Sequence, residues 1–541
     1  MHSDTSHAVD HGHGHEPKPK GPIMTWLTTT DHKKIGIMYL WTSFFFFLVS
    51  GAMALVVRAQ LMHYNGGVVS PEVFNQMMTM HATVMIFLAI IPAATGFGNF
   101  VLPLHLGAKD VAFPRLNALG FWLVPVAGIV FLSSFFLGGA SGNGWTAYPP
   151  LAERAFSPGI GVDLWIFGVH LVGTSSIMGG LNFIATIFNM RAPGLTFHRM
   201  SLFAWSWLVT SWLQVIATPV LAGAVTMLLF DRNLGTSFFR PEYGGDPLLF
   251  QHIFWFYSHP AVYIMILPFF GVISQVIPAF SHKRIFGYLP IAYSSVAIGF
   301  FGLLVWAHHM FATGLNPWFL SIFMLITMLI AVPTGIKIFS WIATMWGGTV
   351  EFKTPMLFAI GFIAFFTIGG LSGVLQAAIP FDIEVSGTYF IVAHIHYVLF
   401  AGSVMAIWSG LYYWLPKMCG RMYNEKLGQL HFWLTAIAMN CTFFPMHILG
   451  LQGMPRRVAL YAPQFEHLNQ FISISAFVLG AAQLLVIVNM IYTLKWGKKV
   501  DVNDPWGHHP DTLTFEWEIA SPPPAHNFDH PPKVTGAVAL H

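Results

Sequence analysis

Six histidines lie inside apolar runs of the chain: His81, His259, His308, His309, His394 and His396. A polar side chain at membrane depth is costly and usually functional. Imidazole suits copper, iron and zinc and is a standard axial ligand of heme iron, so the chemistry within reach is metal chemistry. Spacing narrows it. Each residue turns an α-helix by about 100°, so His394 and His396 point about 200° apart, to opposite sides of one helix. They cannot share a metal, but each can ligate its own, which suits a helix standing between two hemes. His259 and Tyr263 are one turn apart and share a face. His308 and His309 diverge by about 100° and reach one ion only where the helix is distorted or a side chain bends in. Bonding between neighbouring helices would explain any one of these residues, but not all six at these spacings.

The elements that must position these side chains are membrane spans. The 541 residues are 55% hydrophobic and only 9% charged, where a soluble chain carries about a quarter charged residues. Mean hydropathy is +0.63. About twelve apolar segments approach the ~20 residues that cross a bilayer, over 35–59, 77–106, 115–138, 164–190, 202–230, 249–280, 287–311, 318–345, 356–379, 388–414, 428–450 and 470–496. This predicts an all-α integral membrane protein, a bundle of about twelve transmembrane helices with no internal repeat. Residues 1–30, rich in histidine (His2, His7, His11, His13, His15), are expected to form a disordered cytoplasmic tail. Residues 31–500 form the membrane domain. Residues 501–541, with Ser521-Pro522-Pro523-Pro524, form a Pro-rich irregular cytoplasmic extension. No apolar core with a cleavage site precedes the first span, so no signal peptide is expected.

Loop charges orient the bundle. With the N-terminus cytoplasmic, the inside loops hold Lys109, Arg115, Arg191, Arg199, Lys283, Arg284, Lys353, Lys417, Arg421 and Lys426. The outside loops hold only Arg154, Arg232, Arg240, Arg456 and Arg457. That positive-inside bias puts both termini in the cytoplasm. A net charge of +3 gives a nucleic-acid partner no support. Two cysteines, Cys419 and Cys441, exclude a disulfide framework and a Cys-rich metal site, and no C-x-x-C-H run is present to attach a c-type heme.

Longer stretches surround these residues: TMHATVMIF around His81, DVAFPRLN at 110–117, GWTAYPP at 144–150, QHIFWFYSHPAVY at 251–263, WAHHM at 306–310, AVPTGIKIFSWIATMWGG at 331–348, VAHIHY at 392–397 and QGMPRR at 452–457. Together, in this order and over nearly the whole chain from about Asp31 to Pro524, they resemble subunit I of the heme–copper oxidases, in the A-type cytochrome c oxidase branch. The resemblance implies an O2-reducing respiratory enzyme that pumps protons. It implies that His81 and His396 are the two axial ligands of a low-spin heme a. His394 is the single ligand of a high-spin heme a3. His259, His308 and His309 hold copper B, and Tyr263 is cross-linked to His259 as an electron and proton donor. Arg58 resembles the arginine that contacts the formyl group of the low-spin heme. Arg456 and Arg457, with Trp145, resemble the residues around the heme propionates.

The resemblance also implies two proton routes. Lys337, with Thr334 and Ser274, matches the lysine pathway towards Tyr263. Asp110 matches the mouth of a second pathway, and Asn99, Asn117 and Asn182 its lining. The sequence departs from the commonest pattern at the end of that route: Ala261 stands where the family usually has glutamate, and Tyr257-Ser258 precede His259, as in a second branch of these enzymes. Tyr257 lies one turn before Ala261, so its hydroxyl falls in the missing carboxylate's space, and Tyr257 and Ser258 are expected to hold proton-carrying water. A second departure is Ser386-Gly387, where the family usually has His-Asp, so no magnesium site is predicted.

Among rivals, nitric oxide reductases share the six histidines but lack the cross-linked tyrosine and the lysine. Ubiquinol oxidases of the family carry a histidine where this chain has Val73, which favours cytochrome c as donor. A transporter would leave the adjacent His308 and His309 unexplained. With no Cys-rich motif of its own for a CuA centre, the chain is expected to receive electrons through a CuA-bearing subunit II, alongside a subunit III, in a lipid membrane. The Tyr-Ser branch points to a prokaryotic plasma membrane. Supercomplex membership, and heme A against heme O in the high-spin position, stay open.

Overall fold

The computed structural model describes residues 21–532 and residue 534. The first twenty residues of the expected N-terminal tail lie outside the described residues, and its remainder contains a short helix, α1 (Pro22–Leu27). The bundle follows as α2 (His32–Gln60), α3 (Pro71–Val84), α4 (Ile91–Leu106), α5 (Pro114–Ser133), α6 (Gly161–Asn189), α7 (Leu202–Asn233), α8 (Pro247–Ser281), α9 (Tyr288–Gly302), α10 (Pro317–Leu329), α11 (Ala331–Met345), α12 (Thr354–Ala377), α13 (Ile379–Val385), α14 (Tyr389–Val398), α15 (Met405–Cys419), α16 (Glu425–Leu451) and α17 (Glu466–Trp496). Pairs of these run on into one another. Eleven of the resulting helices are long and apolar enough to cross a membrane, and α9 is a shorter apolar helix. These twelve account for the expected spans.

Two spans are interrupted next to histidines. A π-helical segment, Met85–Ile90, joins α3 to α4 four residues after His81. Pro92 in the first turn of α4 has no N–H to offer Leu88, and a wider turn absorbs that missing bond. A second π segment, Leu399–Val404, joins α14 to α15 three residues after His396. There α8 comes close: Ser403 Oγ donates to the Met265 carbonyl at 3.0 Å, and a Cβ on Gly402 would lie 2.8 Å from Ile266.

The seventh span differs from expectation. The sequence suggested one helix over 287–311, but α9 stops at Gly302 and residues Trp306–Met310 form a separate 3-10 turn. The reason is packing. Gly302 lies against the Tyr263 ring, 2.7 Å from where a Cβ would stand, and the chain turns there.

Residues 501–532 are mostly irregular, with two short 3-10 turns, and pack back on the bundle. They strap the helix ends around His105, Trp414 and Lys417. Glu516, fully buried, accepts hydrogen bonds from His105 Nε2 (2.9 Å) and Trp414 Nε1 (3.2 Å). Burial alone would raise the Glu516 carboxyl, but His105, Thr514 and Trp414 hold it down to about 2. Lys417 Nζ donates to the carbonyls of Asn503 (3.1 Å) and Ile519 (2.7 Å). Leaving a buried hydrogen-bond donor without its acceptor costs about 1–3 kcal/mol, and Glu516 satisfies two of them. Glu516→Ala is therefore expected to loosen the strap, read as faster limited proteolysis after residue 500 and a lower thermal inactivation midpoint.

Candidate functional site

Four elements deliver the histidines. α8 carries His259, the 3-10 turn after α9 carries His308 and His309, α14 carries His394 and His396, and α3 carries His81. The 3-10 turn resolves the problem posed by adjacent histidines. Outside a regular α-helix their rings no longer have to diverge, and both aim at His259. His309 Nε2 lies 3.2 Å from His259 Nδ1 and 3.1 Å from His308 Nε2. The three candidate ligand atoms all fall within 4.8 Å of one another, a group able to hold a metal ion. Three nitrogens at about 2.0–2.1 Å from a central ion would lie at similar mutual distances. Thr327 Oγ1, 3.1 Å from His308 Nδ1, orients that ring. Trp255 stacks face to face on His309 at 3.7 Å between ring centres. Tyr263 lies edge-on to His259, with ring centres 4.7 Å apart.

The other three histidines share one design. His81 Nδ1 meets the Ser50 carbonyl at 2.9 Å, His396 Nδ1 the Val392 carbonyl at 2.8 Å, and His394 Nδ1 the Gly369 carbonyl at 3.0 Å. A carbonyl only accepts, so each Nδ1 carries the proton and each Nε2 keeps its lone pair. This is how metal-bound histidines are commonly oriented. The rings of His81 and His396 face each other, with centres 6.3 Å apart and planes 4° from parallel. Bonds of about 2.0–2.1 Å on both sides of one metal place two imidazole centres about 6 Å apart, so the pair fits one shared iron. His394 leaves the opposite side of α14. Ser372 bonds its Nδ1 at 2.9 Å, and a Cβ on Gly373 would stand 2.9 Å from its ring.

Arg58 is buried against α17, bonding Ser473 Oγ (2.9 Å) and Asn469 Oδ1 (3.0 Å) through Nη2. Its Nη1 has no partner among the described residues. A buried guanidinium with a spare donor fits an oxygen of a bound group, as a heme formyl would supply. Arg58→Met is expected to move the low-spin absorption band to shorter wavelength and leave CO binding unchanged, read in reduced and CO-difference spectra.

On the outer side, Arg457 packs on Gly144, 2.8 Å from the position of a Cβ. The neighbouring Trp145 lies edge-on to Trp255. Burial pulls Arg456 down to about 10, with Arg457 adding to the shift. Burial pushes Asp382 up to about 6, against the pull of Arg456. Three residues expected near heme carboxylates thus gather beside the three-histidine group, and they supply cationic donors suited to such groups.

The proton-route residues divide. Lys337, buried on α11, donates to the Ile291 carbonyl (2.9 Å) and to Ser295 Oγ (2.7 Å) on α9. Among the described residues it bonds neither Thr334, which bonds the Ile330 carbonyl, nor Ser274, which accepts from Trp341 one turn along α11. On the second route, Asn117 Nδ2 donates to Asn99 Oδ1 at 2.6 Å, and Asn182 Oδ1 accepts from the Phe113 amide at 2.8 Å. Asp110 stands in the loop before Phe113, raised to about 6 by burial. Tyr257 and Ser258 are buried on α8, and Ser258 Oγ has no partner among the described residues.

Sequence reasoning missed Trp255, Ser50, Ser372, Thr327 and Ser295, which position site residues from neighbouring elements. Their signal in the sequence is slight, single small polar residues or one tryptophan in apolar context.

The fold and site define a membrane-embedded metalloprotein, with a three-nitrogen metal group beside facing histidines. The family described as cytochrome c and quinol oxidase polypeptide I matches residues 34–505, and the chain belongs to it. It is 55% identical over 502 residues to the cytochrome c oxidase subunit 1 of Synechocystis sp., covering 93% of this chain and 90% of that one. It is 52% identical over 507 residues to that of Thermostichus vulcanus, with the same coverage. It is 48% identical over 554 residues to that of Cereibacter sphaeroides, covering 96% and 97%. A solved heme–copper terminal oxidase dimer shares the fold, with a TM-score of 0.69 over 85% of this chain and 84% of that one, at 20% identity. The family implies heme and copper cofactors and a membrane complex with other oxidase subunits.

Proposed function

We propose that the chain is the catalytic subunit of a respiratory terminal oxidase that takes electrons from cytochrome c, reduces O2 to water and pumps protons. Residues 31–500 form its catalytic domain. The observation that carries this reading is the convergence of His259, His308 and His309, whose ligand atoms lie within 4.8 Å of one another with His309 in hydrogen-bond reach of both the others, beside Tyr263, together with the facing pair His81 and His396. His81 and His396 would hold heme a, His394 would hold heme a3, and the three converging histidines would hold copper B. Bound together, these groups supply electron transfer and an O2-binding position.

The chain's own residues do the rest. His81 and His396 together would hold the low-spin heme and leave it no position for O2, so that its work would be to pass electrons. His394 would hold the high-spin heme alone, and so leave that heme able to take O2. Trp255 clamps His309 by stacking and fixes the copper-facing nitrogen. Tyr263 presents a phenol beside His259 from the same face of α8, placed to give up a proton and an electron and to form the cross-link. Arg456, Arg457 and Trp145 neutralise and anchor heme carboxylates. The packed bundle keeps bulk water from the reacting centre. Protons arrive along Lys337, Thr334 and Ser274, and along Asp110, Asn99, Asn117 and Asn182 to Tyr257 and Ser258. Because burial raises Asp110 to about 6, its protonated fraction falls as pH rises above that value. Asp110→Asn is expected to slow turnover at least about tenfold and to remove the alkaline decline of O2 uptake centred near 6.

A CuA-bearing subunit II, a subunit III and a prokaryotic plasma membrane complete the assembly. Support comes from bacterial relatives named cytochrome c oxidase subunit 1. No magnesium site is proposed at Ser386-Gly387. The test is a reduced-minus-oxidised spectrum of the purified complex, with pyridine hemochrome, metal analysis and CO. Two A-type hemes, one of them CO-reactive, with copper are expected. B-type hemes with non-heme iron in place of copper would overturn the reading.

A further inference from the structure

The segment that follows Pro522-Pro523-Pro524 crosses the end of α4 and is largely exposed. Among residues 521–532 only Asn527 and Phe528 are buried. Asn527 is fully buried, and it stands at φ 62°, a left-handed conformation that asparagine tolerates better than most residues. A polar side chain sunk into the protein from an exposed stretch is held there by its bonds, and Asn527 makes four. Its Nδ2 donates to His32 Nε2 (2.8 Å), to the Ala108 carbonyl (2.8 Å) and, sharing a hydrogen, to the Lys109 carbonyl (3.2 Å). Its Oδ1 accepts from Lys33 Nζ at 2.8 Å. Carbonyls only accept and an ammonium only donates, so one orientation of the amide satisfies all four.

These bonds join two walls around Asp110. One wall is the start of α2, where the Asp31 and Lys33 charges and the His32 backbone amide act on the Asp110 carboxylate. The other is the loop after α4, in which Ala108 and Lys109 directly precede Asp110. Lys33 is held by three acceptors, Asn527 Oδ1, the Ala525 carbonyl (3.0 Å) and Asp31 Oδ1 (3.1 Å). That is the full donor capacity of an ammonium. His32 Nδ1 meets the Asn99 carbonyl at 2.6 Å, so Nδ1 carries the proton and Nε2 is left to accept from Asn527. One tautomer serves both bonds, and the ring ties Asn527 to the backbone of Asn99. Farther along, Pro532 lies over Gly107, 2.7 Å from where a Cβ would stand.

We propose that Asn527, from the far end of the chain, is a positioning residue of the proton inlet: it clips the start of α2 to the 107–110 loop and so sets the opening through which Asp110 takes protons from bulk water. Asn527 touches no reacting group and carries no proton itself. It keeps Lys33 and His32 in place beside the carboxylate. The carboxylate's own short bond, to the Val111 amide at 2.7 Å, lies within its loop and does not fix its distance from α2. The inference rests on the reading of Asp110 as the inlet.

The test uses the purified, assembled oxidase, fully reduced and then mixed with O2, while a pH-indicator dye reports proton uptake from bulk water. Asn527→Gly keeps the left-handed backbone and deletes the amide. Asn527→Asp keeps backbone and volume but turns the donor into an acceptor facing two carbonyls. Both variants are expected to slow proton uptake and steady turnover by about threefold or more, with unchanged heme spectra. In an Asp110→Asn background, Asn527→Gly is expected to slow turnover no further. A side chain that only fills space predicts Asn527→Asp at the parent rate and Asn527→Gly slow, and that result would overturn the proposal. So would a slowing that persists undiminished on top of Asp110→Asn. Parent-like uptake in both Asn527 variants, with Asp110→Asn slow, would overturn the clip and leave the inlet standing. Parent-like uptake in Asp110→Asn as well would overturn the inlet and the clip together. Should Asn527→Gly fail to assemble, Asn527→Asp is read by the same measures, alone and with Asp110→Asn.

Discussion

His309→Asn is expected to remove one copper from the complex and to lower O2 uptake by more than about 100-fold, while the low-spin absorption stays as in the parent. Loss of a residue that only orients a metal ligand already costs about 10–100-fold, and His309 is the nitrogen shared by both short contacts of the group, at 3.2 Å to His259 and 3.1 Å to His308. Asparagine is too short to reach the same point and is a weaker donor. It also forfeits the stack on Trp255. The low-spin pair is insulated from this change, because His81 is held by the Ser50 carbonyl on α2 and His396 by the Val392 carbonyl one turn back on α14, neither on the elements that carry His259, His308 and His309. Metal analysis with spectra separates the outcomes. Copper retained with activity within tenfold of the parent would show that the three nitrogens do not form the copper site.

How much of this was legible depended on the distance over which each feature is decided. The two-apart spacing of His394 and His396 is a local fact of helix geometry, and the structure turns them to different neighbours, Gly369 on α12 and His81 on α3. The end of α9 was not legible. Nothing in Gly302-Leu303-Leu304 demands a stop, and the helix ends where Gly302 meets Tyr263 on α8. The convergence of His308 and His309 depends on that end. The strap over 501–534 was invisible for another reason. Glu516 and Asn527 follow no period, and each finds a partner more than four hundred residues away in sequence, His105 for one and the Ala108 carbonyl for the other.

Lys337→Met is expected to slow turnover about 100-fold while leaving assembly intact and thermal stability equal or higher. The two halves of that expectation have one physical origin. A lysine at mid-membrane costs about 2.5–3.5 kcal/mol on insertion scales, and Lys337 recovers only part of it through the Ile291 carbonyl, Ser295 Oγ and the Phe270 ring at 5.6 Å. Methionine fills much the same volume without a charge to desolvate. Its one structural debt is Ser295, which keeps the Ile291 carbonyl as its own acceptor at 3.2 Å. A residue whose removal does not weaken the fold is retained for what it does, and a long amine on α11 level with the hydroxyls of α9 can carry a proton through an arc that no neighbouring side chain covers. The variant should therefore stall in the steps that load protons towards Tyr263, seen as slow reduction of the high-spin heme in stopped flow with low-spin reduction unchanged. Rapid high-spin reduction in the variant would assign Lys337 no part in proton delivery. A fall of many degrees in its inactivation midpoint would make it a structural residue.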